Sequence, residues 1–180
     1  MIDEIVKFNM SFVENKDYEK FVTNKYPEKK LAILSCMDTR LTELLPSALG
    51  LRNGDAKFIK NAGGIISHPF GSVMRSLIVA IYELGVTDIM VIAHSDCGAC
   101  HMESDLLIEK MKSRGIPDNN IDLIRYCGVD FNSWLDGFKD TEGSVGETVA
   151  IIKKHPLIPN DIRVRGFVVD SHTGGLTPIV

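Results

Sequence analysis

Every apolar run in this 180-residue sequence is broken within ten residues, about half of what a membrane-spanning helix needs. No segment therefore reads as a membrane span. There is no basic cluster either: 20 lysines and arginines are scattered among 24 acids, a formal charge of -4. That balance gives no electrostatic footprint for nucleic acid or an anionic membrane. Cysteine is too scarce for a disulfide scaffold, since Cys36, Cys97, Cys100 and Cys127 cannot staple a chain of this length. The opening MIDEIVKFNM carries acids where a secretory leader would be basic, so a cytoplasmic protein is expected. Internal repeats and low-complexity tracts are also missing.

What remains is the profile of one folded, soluble domain, with 44% hydrophobic and 24% charged residues to divide between core and surface. Leu31–Ser35, Lys57–Lys60 and Asp88–Ala93 read as strands. Thr42–Leu49, closed by Gly50, and Ser72–Glu83, closed by Gly85, read as the helices between them. Strands and helices alternating through short links predict an α/β fold: a mainly parallel central β-sheet flanked by helices. Right-handed crossovers would put every strand's carboxyl end on one edge. The segments 36–40, 61–64 and 94–100 are therefore expected to converge.

Around this centre the expectations are looser. Residues 1–26 form a helical arm whose Ile2, Ile5, Val6, Phe8, Phe12 and Val13 must cover either their own core or that of a partner, with 27–180 as the metal-binding α/β domain. Residues 99–112 look helical, and 118–138 holds one or two short helices around Trp134 and Phe138. Ser144–Lys154 is a helix that Ser144 can cap, with Glu147 completing a capping box. Arg163–Val169 is a last strand, and the apolar tail Leu176–Val180 suggests an added edge strand or a subunit contact.

The converging segments carry the chemistry. Cys36, His94 and Cys97 make a Cys2His set with one position to spare, as in catalytic zinc sites, and thiolates favour Zn2+ over magnesium or calcium. The plain alternative makes both cysteines apolar fillers and His94 a hydrogen-bonded residue at the edge of the core. Two thiolates would cancel the metal's charge, so a bound water would be less acidic than under three histidines, where its pKa reaches ~7. Asp38 and Arg40 stand where help is needed. Arg40 can hold Asp38 by a bidentate pair, leaving the carboxylate to accept the hydroxide's proton. Asp38 can instead close the site as a fourth ligand, or the two can form an ordinary loop salt bridge. Gly63, Gly64 and Gly98 permit close backbone approach, and their N–H groups are candidates for stabilising oxygen charge. Ile65, Ile66, Phe70 and Val73 are candidates for an apolar cleft, though each would serve equally as core.

Cys36-Met-Asp38-Thr-Arg40, then Asn61-Ala-Gly63, then His94-Ser-Asp-Cys97-Gly98 resembles the β-class carbonic anhydrases, especially their short single-domain members, from about Leu31 to the last strand. The resemblance implies reversible hydration of carbon dioxide to bicarbonate and a proton by zinc-bound hydroxide. It makes Cys36, His94 and Cys97 the zinc ligands, with Asp38 and Arg40 the dyad that orients the nucleophile or lets Asp38 cap the metal. It further implies a homodimer or multiple of dimers, a helical arm embracing the partner, and a narrow apolar cleft at the interface. A regulatory bicarbonate pocket in some members uses a tryptophan and an arginine where Ile33 and Lys60 stand here, which argues against that control. A sister activity on carbon disulfide uses the same zinc set.

Other readings compete. A zinc-stabilised binding or regulatory protein on the same scaffold would not need Asp38 and Arg40. Cys97-x-x-Cys100 suggests a dithiol oxidoreductase at a helix start. Asp96 is a candidate helix cap or hydrogen-bond partner beside the metal, His101 a proton shuttle or plain surface residue, and His68 a neighbour of the glycine loop. Asp170-Ser171-His172 invites a hydrolase reading, but no G-x-S-x-G elbow accompanies it. Cys127 is expected in the core.

Overall fold

In the computed structural model, which describes all of residues 1–180, the apolar runs become the strands of one sheet. Strands β1 (Leu31–Cys36), β2 (Ala56–Asn61), β3 (Asp88–His94) and β4 (Arg163–Val169) are parallel, and β5 (Leu176–Pro178) adds an antiparallel edge. The spatial order is β2-β1-β3-β4-β5. The chain leaves β1 for β2 on one side and crosses back to β3 on the other. Loops at the carboxyl ends of β1 and β3 thus depart in opposite directions, opening a crevice at the sheet's switch point.

Both sheet faces are covered, so the central strands lack a polar side. On one face Ala32, Leu34, Ile89, Val91 and Val164 pack against helices α3 (Ser72–Tyr82) and α7 (Thr141–Lys154), through Met74, Leu77 and Ile81 and through Val145, Val149 and Ile152. On the other, Ile33, Ile92 and Val169 meet Leu41 and Leu45 of helix α2 (Leu41–Ala48). Ile33, Leu34 and Ile92 are completely buried, each worth about 1.5–3 kcal/mol relative to exposure. This packing holds the strand ends in place, and the second cluster extends directly into Cys36 and Cys97.

Helix α1 (Ile2–Glu14) buries no residue; Ile2, Ile5, Phe8 and Met10 all face solvent. No helix is long and apolar enough to cross a membrane. The tail forms the edge strand, pairing Leu176 with Val169 and Pro178 with Phe167.

Three local expectations are corrected. Residues 97–102 are turns rather than a helix start; His101 takes φ 66°, and the 100–102 segment bonds to Gly137 and Phe138 instead. Helix α4 begins only at Ser104 and ends at Ser113, followed by α5 (Asp118–Tyr126) and α6 (Phe131–Leu135), with Phe138 outside any helix. Helix α7 starts at Thr141, capped by Asp140, whose carboxylate accepts from Gly143 N at 2.7 Å and Glu142 N at 3.3 Å. Ser144 lies buried inside the first turn and donates to the Thr141 carbonyl. An aspartate three residues upstream of a glycine that crowds nothing but its own cap meets the orphan N–H groups sooner than Ser144 can. Cys127 is exposed, not core, because α5 turns that end of itself outward.

Candidate metal centre

Strand β1 ends on Cys36, β3 ends on His94, and the turn after β3 returns Cys97 to the same point. Their Sγ and ring nitrogen atoms all lie within 4.8 Å of one another, and all three residues are buried. The two sulfurs are 3.8 Å apart. His94 is fully enclosed, and its Nδ1 lies 2.8 Å from the Ser95 carbonyl, to which only a protonated Nδ1 can donate. The lone pair of the neutral ring is therefore on Nε2, which is buried and has no hydrogen-bond partner. An orphaned buried nitrogen is costly unless something absent from the polypeptide satisfies it.

The sulfurs are arranged for negative charge. Backbone groups at Asp38 and Gly63 hydrogen-bond to the Cys36 sulfur, and those at Ala99 and Cys100 to the Cys97 sulfur. Burial pushes the Cys36 thiol up, but the hydrogen bonds at its sulfur outweigh it and leave it below its ordinary value. Cys97 is pushed up by burial and by the adjacent Cys36 charge. Two thiols this close resist ionising together unless a cation sits between them. The donor set of two sulfurs and one imidazole suits a borderline-soft divalent cation with one position left open. The residues present thus fit a metal, and an imidazole already oriented through its other nitrogen is the usual support for a ligating histidine.

Beside this cluster the loop after β1 folds back on itself. Arg40 grips Asp38 as a fork, Nε to Oδ1 at 3.0 Å and Nη2 to Oδ2 at 2.8 Å, while the Arg40 backbone N–H also donates to Oδ1 at 2.9 Å. The side-chain bonds from Arg40 hold the Asp38 carboxyl well below the usual carboxylate range. Oδ2 is the oxygen turned towards the cluster, 3.8 Å from His94 Nε2.

The cleft over the cluster has a volume of about 340 Å³ and is lined by Cys36, Asp38, Gly63 and Gly98, with apolar walls from Met37, Ala62, Ala99 and Met102. The expected walls lie elsewhere. Ile66 is buried in the sheet core and Val73 packs against that core. Phe70 is 72% exposed beside His155, because the chain after Gly64 runs away across α3 and α7. Gly63 brings its N–H to the Cys36 sulfur. Gly64 faces β1 rather than the cleft: a Cβ there would stand 2.9 Å from Cys36 N and 3.0 Å from Ser35 C, and its φ is 67°. Gly98 is open, with nothing crowding its Cβ position.

The weaker candidates separate cleanly. Cys100 lies outside the ligand cluster, its sulfur directed at the Lys139 carbonyl at 4.0 Å, so Cys97 has Cys36 rather than Cys100 as its sulfur neighbour. His68 is exposed and accepts from Phe70 N, beside Trp134 and away from the cysteines. The Asp170 carboxylate caps its own turn through the N–H groups of His172 and Thr173. Ser171 instead supports Ser95, donating its N–H to Ser95 Oγ at 3.0 Å. Asp96 caps no helix; it meets Arg40. Sequence reasoning missed that contact and Met102, since both depend on the turn of 95–102, which was read as the approach to a helix.

An open α/β sheet with a Cys2His cluster and a carboxylate–guanidinium pair at its switch point defines a metal-site enzyme of the open-sheet class. The family model described as carbonic anhydrase matches residues 31–176. YtiB of Bacillus subtilis, a candidate carbonic anhydrase, is 52% identical over 180 residues, covering 100% of this chain and 96% of that protein. The carbon disulfide hydrolase of Acidithiobacillus thiooxidans is 30% identical over 159 residues, covering 83% of this chain and 77% of its own. Among solved structures, β-carbonic anhydrase isoform I of Trichomonas vaginalis superposes with a TM-score of 0.91 at 34% identity, over 100% of this chain and 97% of that one. The chain belongs to the β-carbonic anhydrase family of enzymes.

Proposed function

We propose that this protein catalyses the zinc-dependent, reversible hydration of carbon dioxide to bicarbonate and a proton, with Cys36, His94 and Cys97 holding the zinc. The observation that carries this reading is the partnerless, buried Nε2 of His94 facing two sulfurs, with Asp38 held beside them. When bound, zinc supplies Lewis acidity that lowers the pKa of a water in its open position. Asp38 Oδ2 would accept the hydrogen bond of an oxygen held there and so orient its lone pair. Arg40 fixes the carboxylate from behind with the two parallel bonds of its fork. Gly63 and Gly98 keep the walls low, and Met37, Ala62, Ala99 and Met102 give the apolar lining that a small nonpolar gas requires.

The assembly belongs to the proposal. An arm that buries no residue within one protomer and leaves Ile2, Ile5, Val6, Phe8 and Val13 exposed is best used across a two-fold axis, so residues 1–26 act as a dimerisation arm in a homodimer or a multiple of it. The buried thiol pair suits a reducing, cytoplasmic compartment.

Metal content per chain, measured together with stopped-flow carbon dioxide hydration across pH, tests the reading. The wild type should hold one zinc per chain and hydrate carbon dioxide, and Cys36→Ser should lose both. A protein without stoichiometric zinc refutes the assignment. The identity to a carbon disulfide hydrolase makes carbon disulfide hydrolysis the second reading. Turnover of carbon disulfide with none of carbon dioxide would establish it instead.

A further inference from the structure

Arg40 does not hold Asp38 from solvent; it is itself held. Its guanidinium donates from Nη1 to Asp96 Oδ2 at 2.9 Å and from Nη2 to the Asp96 carbonyl at 2.9 Å. The same group spends Nε and its other Nη2 bond on Asp38. One planar fork is thus pinned from two loops, the one after β1 and the one after β3. Asp96 reaches it from φ 54°, a backbone conformation uncommon outside glycine and best tolerated by aspartate and asparagine. In that conformation one residue presents both its carboxylate and its carbonyl to Arg40.

The second clamp matters because Asp38 is so near the metal ligands. Its Oδ2 is 3.8 Å from His94 Nε2, so a small swing would carry the carboxylate in among the ligand atoms. The Arg40 backbone N–H holds Oδ1, but only the Arg40 fork holds Oδ2 against that swing, and a long arginine side chain anchored solely by the mobile carboxylate would move with it. We infer that Asp96 is a positioning residue: by fixing Arg40 from the β3 side it keeps Asp38 beside the metal position rather than on it. Asp96 touches no ligand atom itself and acts through Arg40. The inference rests on the metal-site reading proposed above.

Asparagine and glycine both accept φ near 54°, so Asp96→Asn and Asp96→Gly remove the carboxylate without straining the turn. The Asp96 side chain is 79% exposed, and exposed ion pairs are modest, so a roughly two- to fivefold effect is expected. In the zinc-loaded protein, solvent exchange of the Arg40 Nε–H, followed by nitrogen-15 NMR and assigned by its disappearance in Arg40→Lys, should accelerate by that factor in both variants. In the cobalt-substituted protein, azide titrated at fixed pH should bind more weakly in both variants, since its apparent affinity scales with the fraction of sites left open. That weakening should vanish when Asp38→Ala is added, because no carboxylate then remains to close the site.

An unchanged exchange rate in both variants overturns the inference. So does an equal loss of azide affinity with and without Asp38, which would mean that Asp96 acts on the site directly. Loss of the metal from both variants would make Asp96 a structural support of the ligands and overturn it too. Failure of the wild type to bind cobalt or azide would instead bring down the metal-site reading itself, and this inference with it.

Discussion

Alanine in place of Gly64 should damage the metal centre without touching any polar group in it. Two costs apply. Residue 64 has φ 67°, and a left-handed backbone costs an L-residue about 1–2 kcal/mol. The new methyl would also stand 2.9 Å from Cys36 N and 3.0 Å from Ser35 C, where only backbone can give way; such overpacking costs about 1–3 kcal/mol. The sum is about 3 kcal/mol, or ~6–12 °C in Tm for a chain of this size. Gly85 supplies the control: its φ is 70°, and nothing lies within 4 Å of its Cβ position. Gly85→Ala should cost only the backbone part, about 1–2 kcal/mol. Urea unfolding of both variants, stripped of metal by chelator and kept reduced, measures the difference without a contribution from bound ligand. Titration against a chromophoric chelator should then show weakened metal binding in Gly64→Ala alone, because only there does the displaced backbone carry Cys36. Equal destabilisation of the two variants with metal affinity intact in both would refute the crowding argument.

Further outcomes follow from the same geometry. Asp38→Ala should keep stoichiometric zinc, since Cys36, His94 and Cys97 are untouched, yet lower carbon dioxide hydration by about a hundredfold or more in stopped flow, the scale on which misplacing a reacting group costs rate. The Asp88 carboxyl is held below its ordinary range by hydrogen bonds from Arg163 and Thr87, so its contribution to stability is complete above the unfolded-state pKa of about 3.9 and is lost as pH falls through the folded value. Asp88→Asn should therefore lower the urea midpoint at pH 6 and converge with the wild type in strong acid, and a constant gap across that range would contradict the pairing. Removing residues 1–26 should convert the proposed dimer to monomer in sedimentation velocity while leaving metal content unchanged, because α1 buries nothing in its own protomer. A truncated chain that sediments as the wild type does would show that the arm is not the dimer contact.

The parts of this protein legible in its sequence are those governed by short-range rules. LAILSC and DIMVIAH announce buried parallel strands because both faces of each strand must be apolar, and short links between alternating strands and helices leave few topologies. The helices before β2 and β3 were legible from their apolar faces to within a residue or two. Residues 97–102 were not, because their apolar spacing is compatible with a helix. What stops a helix there is the pairing of Cys100 with Phe138 and the bond from Gly137 to the Met102 carbonyl, across more than thirty residues. Met102 was missed as a cleft wall for the same reason, since it reaches the cleft through that turn, whereas Ile66, Phe70 and Val73 were misplaced because the chain after Gly64 leaves the site. The cap of α7 was missed because two capping residues compete within five positions, and Asp140, whose carboxylate reaches the N–H groups of Glu142 and Gly143, starts the helix early enough to leave Ser144 inside its first turn.

The sequence by itself determined the sheet, the edge on which its chemistry gathers, and the identity of the residues on the strand ends. Those follow from apolar periodicity and chain connectivity, which are properties of neighbours along the chain. Only the tertiary structure decided that Cys36, His94 and Cys97 meet within 4.8 Å, that His94 Nε2 is left without a partner, and that Arg40 is gripped from both sides. Each is a matter of distances between segments some sixty residues apart. Such distances are set by how the core packs beneath the strand ends and are written in no local stretch of the chain.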